Sequence, residues 1–204
     1  MPPKFAVDQE EAWKIVEDAG AGTLVIGSPE GLASVHVPIL VSADRHTLAT
    51  HVARANAWWK AVGDGAEVLA LFLAASTYVS PSNYPSRLED PGVVPTWNYV
   101  AAEIRGRATV HDDLAWKWSQ TGLVTERFER GRDPKWRADD LDEHFREQQL
   151  KAIVGIEIDV TSIEGKAKLS QNRPEIDRAS VRENFEHGSL GERIVAERME
   201  RPQD

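Results

Sequence analysis

IVGIEIDV, residues Ile153–Val160, is the stretch whose reading decides the fold. Val154, Ile156, Ile158 and Val160 fall on one side of a period of two, and Glu157 and Asp159 fall on the other. That period is the pleat of a strand with one face on a core. TWNYVAAEIRGRATVH (Thr96–His111) upstream reads as a long bent strand, with a bulge expected at Gly106. EVLALFL (Glu67–Leu73) is a buried strand, and STYVS (Ser76–Ser80) continues its pattern. GTLVIG (Gly22–Gly27) and ASVHVPILV (Ala33–Val41) flank the turn signal PEG and predict a hairpin. Pro38 cannot donate to a ladder, so it marks an edge, a bulge or a place where a ligand lies along the strand. TLATHV (Thr47–Val52) adds another strand.

Helices are expected between and after these strands. Asp8 and Glu11 form a capping box for a helix over 9–19, with Trp13, Ile15 and Val16 inward and Gly20 as its stop. Asn56 caps a short AWWKAV helix that ends at Gly63. Asp112 or Asp113 opens a helix running to near Gly131, and another spans Asp140–Lys151. Pro174 suits a helix start, and Leu190, Ile194, Val195 and Met199 make an amphipathic C-terminal segment. Some seven short strands with helices around them predict an α+β fold, an antiparallel barrel or sandwich with helical additions. The irregular stretch Pro81–Pro95 is long enough to read as an ordered, functional loop.

The chain of 204 residues has the length of one domain with a core. It has no cysteine, which excludes disulfides, thiol catalysis and thiolate-held metals. No apolar run reaches the roughly 20 residues that cross a bilayer, and MPPKFAVDQEEAW lacks a signal core, so a cytoplasmic, non-membrane protein is expected. With 24 basic against 33 acidic residues the net charge is −9, which offers nucleic acid no general attraction. DNA binding would need a local patch created by dimerisation.

Known motifs exclude several chemistries. HExxH, GxSxG, GxGxxG and the phosphate-loop pattern are all absent, and His36 and His51 have no ligand spacing, so no metal is expected. Three constellations remain. HVARANAWWK (His51–Lys60) puts Arg54 and the capping Asn56 between a strand and a helix, which suits a phosphate, although a surface capping turn is the plainer reading. VPTWNY (Val94–Tyr99) places Trp97 and Tyr99 on one face and Asn98 on the other; the aromatic and amide could hold a planar heterocycle, or Trp97 could be core. KLSQNR supplies Lys168, Gln171 and Arg173 for phosphate or carbonyl groups, or forms a solvated loop. Of the seven tryptophans, Trp13, Trp116, Trp118 and Trp136 read as packing.

These constellations, with YVSPSNYP (Tyr78–Pro85), resemble the PaiB-type family of FMN-binding transcriptional regulators over most of residues 20–175. The resemblance implies an FMN-binding split β-barrel, antiparallel and Greek-key-like with peripheral helices, over 1–175, and a helical extension over 176–204. It also implies a homodimer with flavin at the interface. Carried over by motif, Arg54 is placed at the FMN phosphate with His51 and Asn56 nearby. Lys168, Gln171 and Arg173 are placed at the phosphate or the polar ring edge. Tyr78, Trp97 and Asn98 line the ring or ribityl chain, and Ser80 joins the cofactor set. Asn83 stands where the family usually has Trp. The resemblance implies a regulator; an FMN-dependent oxidoreductase or NAD(P)H flavin reductase is the alternative. A haem carrier would need His36, His51 or His111 as axial ligand.

Overall fold

The structure, a computed structural model, describes residues 3–62, 65–89 and 92–200. Gly63, the expected helix stop, lies outside them. The strands are β1 (Ala6–Val7), β2 (Ala21–Ser28), β3 (Gly31–Pro38), β4 (Leu40–Val41), β5 (Thr47–Ala53), β6 (Ala66–Val79), β7 (Thr96–His111) and β8 (Ile153–Lys168). The helices are α1 (Gln9–Ala19), α2 (Trp58–Ala61), α3 (Leu114–Phe128), α4 (Glu143–Lys151), α5 (Glu175–Glu186) and α6 (Leu190–Glu200). The strands form one sheet in the order β3-β2-β6-β7-β8-β5-β4, with β1 paired to β8. The β2–β3, β2–β6, β4–β5, β5–β8 and β1–β8 ladders are antiparallel.

The expected split β-barrel is not formed. The sheet is open: its path starts at β3 and stops at β4, and no ladder joins those two strands among the described residues. The reason lies at Pro38–Ile39. Pro38 ends β3 and has no N–H to give, and the Ile39 N–H is taken by the Gly20 carbonyl at 2.9 Å. The chain therefore passes from one end of the sheet to the other covalently, without hydrogen bonds between the two end strands.

The chain divides into two compact units. One holds residues 1–19, 72–103 and 163–204. In it Asp8 caps α1 by accepting the Glu11 N–H at 2.8 Å. Trp13, Ile15 and Val16 on that helix are buried, as their spacing predicts, each such side chain contributing roughly 1.5–3 kcal/mol. A Cβ on Gly165 of β8 would stand 2.8 Å from the Ala12 Cβ, so the glycine is what lets α1 lie against the strand. Arg198 of α6, 6% exposed, donates to Glu11 at 2.7 Å and to Asp18, pinning α6 to α1.

The second unit holds residues 20–71 and 104–162. Gly20 stops α1 with φ +64, a left-handed conformation. Val154, Ile156 and Ile158 are fully buried as the alternation demands, whereas Val160 is only half-buried. Asp113 and Asp142 cap α3 and α4 by accepting the N–H groups of Trp116 at 2.7 Å and Phe145 at 3.1 Å. Gly155 is required by packing: a Cβ there would sit 2.1 Å from the Trp116 ring, which in turn stacks on His111 at 4.2 Å.

The strands run further than their sequence signals. EVLALFL and STYVS are one strand, and β8 continues to Lys168, so the expected GKAKLSQNR loop begins only at Leu169. Both strands change the face they bury on the way. In β6, Val68, Ala70 and Phe72 are buried, then Ala75 and Val79; in β8, Val154, Ile156 and Ile158 are buried, then Gly165 and Ala167. Strand β7 keeps one phase from Asn98 to Ala108.

Candidate functional site

In the second unit, Arg54 leaves the end of β5 and is held on every side. Its Nε donates to the Lys151 carbonyl, Nη2 donates to the Ile153 carbonyl at 3.1 Å, and Nη1 and Nη2 grip the two oxygens of Asp112. Lys117, whose side chain is 1% exposed, donates to the same carboxylate at 3.0 Å and to the Ile153 carbonyl at 3.3 Å. The two cations hold the Asp112 carboxyl down at about 2, through the hydrogen bond from Arg54 first and that from Lys117 second. Four of the five guanidinium donors are thus committed within the unit. Asn56 is equally engaged, its Oδ1 accepting the Trp58 N–H at 2.9 Å. His51 lines a cavity between β5, α3 and α4.

In the first unit, side chains on β6, β7 and β8 make a stripe of aromatic and cationic groups. Tyr78 and Trp97 are half-exposed and meet edge to face, 6.2 Å between centroids. The Trp97 indole N–H donates to the Ser76 hydroxyl, which fixes the ring. Lys168 donates to the Thr96 hydroxyl and, at 2.9 Å, to the Trp97 carbonyl. Both partners are neutral, and one ammonium N–H is left without a partner among the described residues. Burial lowers the pKa of Lys168, Tyr99 opposes that shift, and Lys166 and Lys4 add to it. Lys166 stands 5.1 Å over the Tyr99 ring. Lys166 and Lys4 thus act on Lys168 as further positive charges, on a chain whose net charge is −9.

The other expected residues of this unit make hydrogen bonds and ring contacts within it. Asn98 is fully buried and exchanges hydrogen bonds with Ser170 at 3.0 and 3.2 Å. Ser170 sits at φ +63, unusual for a residue with a side chain. Gln171 closes the turn, accepting the Leu169 N–H at 2.7 Å and donating to the Ala167 carbonyl. Arg173 lies 4.6 Å over the buried Tyr84 ring. Ser80 caps a short 3-10 turn, accepting from the Ser82 N–H and hydroxyl at 3.2 and 2.8 Å. Thr96, Tyr99, Lys166 and Lys4 join the site without having been expected there. Alternation puts Tyr99 on the face of Trp97, and it puts Lys166 on the face of Lys168 once β8 is continued past Val160. Of the histidines a haem would need, His36 bonds the Thr23 hydroxyl at 3.0 Å and His111 is stacked on Trp116.

The family described as "Putative FMN-binding domain" matches residues 1–162. A Bacillus subtilis protein named protease synthase and sporulation protein PAI 2 is 33% identical over 192 residues, covering 92% of this chain and 89% of its own. Among solved structures, the FAD and heme binding protein from Mycobacterium smegmatis is similar with a TM-score of 0.61 at 16% identity, covering 91% of this chain and 80% of that one. A flavocytochrome from Azotobacter vinelandii gives 0.63 at 13% identity, covering 86% and 75%. At these identities the structural likeness shows the fold alone. The chain belongs to this FMN-binding family, and FMN is the cofactor that membership assigns. The stripe fits that group: an isoalloxazine can lie on the exposed Tyr78–Trp97 surface, and a phosphate needs the cations that Lys4, Lys166 and Lys168 supply. No described helix is long and apolar enough to cross a membrane.

Proposed function

We propose that this protein is an FMN-dependent oxidoreductase that binds its flavin along the stripe of Tyr78, Trp97, Tyr99, Lys166 and Lys168. The observation that carries the reading is Lys168, an ammonium held by two neutral oxygens, with no carboxylate bonded to it, beside an exposed aromatic pair. When bound, FMN supplies the hydride and electron chemistry. The chain's own part is to bind and orient. Trp97, fixed by Ser76, offers a stacking surface. Lys168 brings one free donor and an uncompensated positive charge, which favours an anionic phosphate or a ring oxygen that gains charge. Arg54 serves as a structural clamp in this reading, with Asn56 as its neighbouring cap.

A second copy of the chain is proposed to cover exposed apolar side chains of the first unit, Leu73 and Val94 among them, giving a homodimer. A regulatory role is less well supported. The helices of residues 175–200 carry four basic and seven acidic residues, a net of −3, which repels phosphate.

The test is spectroscopic. Purified protein reconstituted with FMN is expected to hold flavin at one per chain, and anaerobic mixing with NADPH or NADH is expected to bleach its absorbance. A flavin that stays oxidised with both nicotinamides would overturn the oxidoreductase reading, and a Soret band in place of flavin absorption would overturn the cofactor assignment. Light scattering with and without FMN tests the dimer.

A further inference from the structure

The cavity that His51 enters is not used by the flavin stripe. It lies wholly within the second unit, among β5, α3 and α4, with a volume of about 380 Å³. Small-molecule sites begin at roughly 300 Å³. Its walls are apolar, formed chiefly by Trp118, Trp136, Phe145 and Leu150. Trp136 and Phe145 are each about half exposed, although each is a large ring beside an open space.

The polar groups of the cavity are few, and they differ in what they have left to give. Thr121 and Thr125 spend their hydroxyls on helix carbonyls, at 2.9 Å to Lys117 and 2.8 Å to Thr121. Arg146 stacks 4.4 Å over the Trp118 ring, and its guanidinium has no carboxylate partner among the described residues. Its neighbours on the same helix are differently placed: Glu147 pairs with Lys151 at 2.9 Å. No Asp or Glu among the described residues lines the cavity. Burial lowers the pKa of His51, which keeps the imidazole neutral and able both to donate and to accept. In a chain with nine more acidic than basic residues, a cavity walled by aromatics with a free guanidinium and no carboxylate selects for an anion.

We infer that this cavity is a second ligand site, taking a small aromatic carboxylic acid whose ring lies among Trp118, Trp136 and Phe145 and whose carboxylate meets Arg146. The inference stands apart from the flavin reading, since none of its wall residues belongs to the stripe.

The experiment is calorimetric titration of naphthoate and its neutral isostere naphthamide into the FMN-loaded protein and into the flavin-free protein. Naphthoate is expected to bind both forms with equal affinity, and about tenfold or more tighter than the amide, because its contact is charge-assisted. Arg146→Gln is expected to bring the acid down to the affinity of the amide. Thr125→Phe, which fills the space, is expected to abolish binding of both, with an unchanged far-UV spectrum and unchanged flavin content. Equal binding of acid and amide by the wild-type protein overturns the inference, and that comparison requires no variant to fold. Naphthoate binding that is lost when FMN is loaded also overturns it, by showing that the cavity belongs to the flavin. Failure of FMN to bind at all would instead strike the proposed function and leave the naphthoate result readable.

Discussion

Arg54 and Lys168 are the two cations that the sequence offers most readily to a phosphate, and the structure treats them in opposite ways. Arg54 lies against a carboxylate, Asp112, in a bidentate pair and donates to two main-chain carbonyls besides. A carboxylate stands directly against its charge, although that carboxylate also serves Lys117. Lys168 has two neutral oxygen partners, two other lysines near it and a pKa lowered by its partial burial. Its charge is uncompensated. A cation with a carboxylate partner closes a fold; a cation held among neutral groups and other cations is costly in the empty protein, and a bound anion offsets that cost. Charge compensation, more than residue type, separates a clamp from a binding group.

The largest expected effect falls on the clamp. Lys117 is fully buried, so Lys117→Ala leaves a hole where its aliphatic stem packs, at about 3 kcal/mol. For a chain of this size that is a fall in Tm of roughly 6–12 °C. FMN affinity of the folded variant should stay within about twofold, given that sites sharing no partner act independently. A large loss of flavin with normal melting would exchange the roles of the two regions. Arg54→Gln should move in the same direction as Lys117→Ala, again with flavin retained.

Lys168→Gln should do the reverse. Losing a charge-assisted contact weakens FMN binding by about 10- to 100-fold, read by fluorescence titration. Melting of the flavin-free protein should be unchanged or slightly raised. The sign follows from the lowered pKa: the unfolded chain binds the proton more tightly, so charged Lys168 opposes folding, and stability rises with pH from the lowered value up to the ordinary one near 10.5. Trp97→Ala should weaken FMN by about threefold to tenfold, the scale of one aromatic contact beyond its buried area. It should leave melting nearly unchanged, because the ring is half exposed.

Much of this contrast is legible in the sequence, and the part that is not has a physical cause. The pattern of β7 announces the strand at its true limits because Asn98 to Ala108 keeps one buried phase throughout. Strand β6 looks like two pieces in sequence because its buried face changes between Phe72 and Ala75, which breaks the period that marks a strand. The second half of β8 looks like a loop for the same reason, compounded by Gly165 and two lysines in a segment of low strand propensity. That broken period is what hides Lys166. The clamp on Arg54 is illegible in another way: Asp112 lies 58 positions away, and nothing local announces the pair. The open sheet has a local origin instead: its end strands β3 and β4 are joined by Ile39 alone, so they follow one another along the chain, and Pro38 signals only a strand without one donor.

The smallest expected effect concerns acid. The Asp112 carboxyl is held at about 2 against an ordinary value of 3.8. Its folded pKa is depressed, so between those values the unfolded chain binds the proton and the folded one does not. The stabilisation is therefore complete above pH 3.8 and is lost as pH falls toward about 2. The side chain is more than half open to water, which screens the pair and keeps the contribution modest. Asp112→Asn should thus flatten the steepest part of the acid-unfolding curve between those two pH values, and high salt should flatten the wild-type curve in the same way. Lys168→Gln should leave the acid limb unchanged, since Lys168 is fully protonated there in both states. If the two variants shift the acid limb equally, the clamp and the stripe are not electrostatically distinct, and the contrast between a compensated and an uncompensated cation fails.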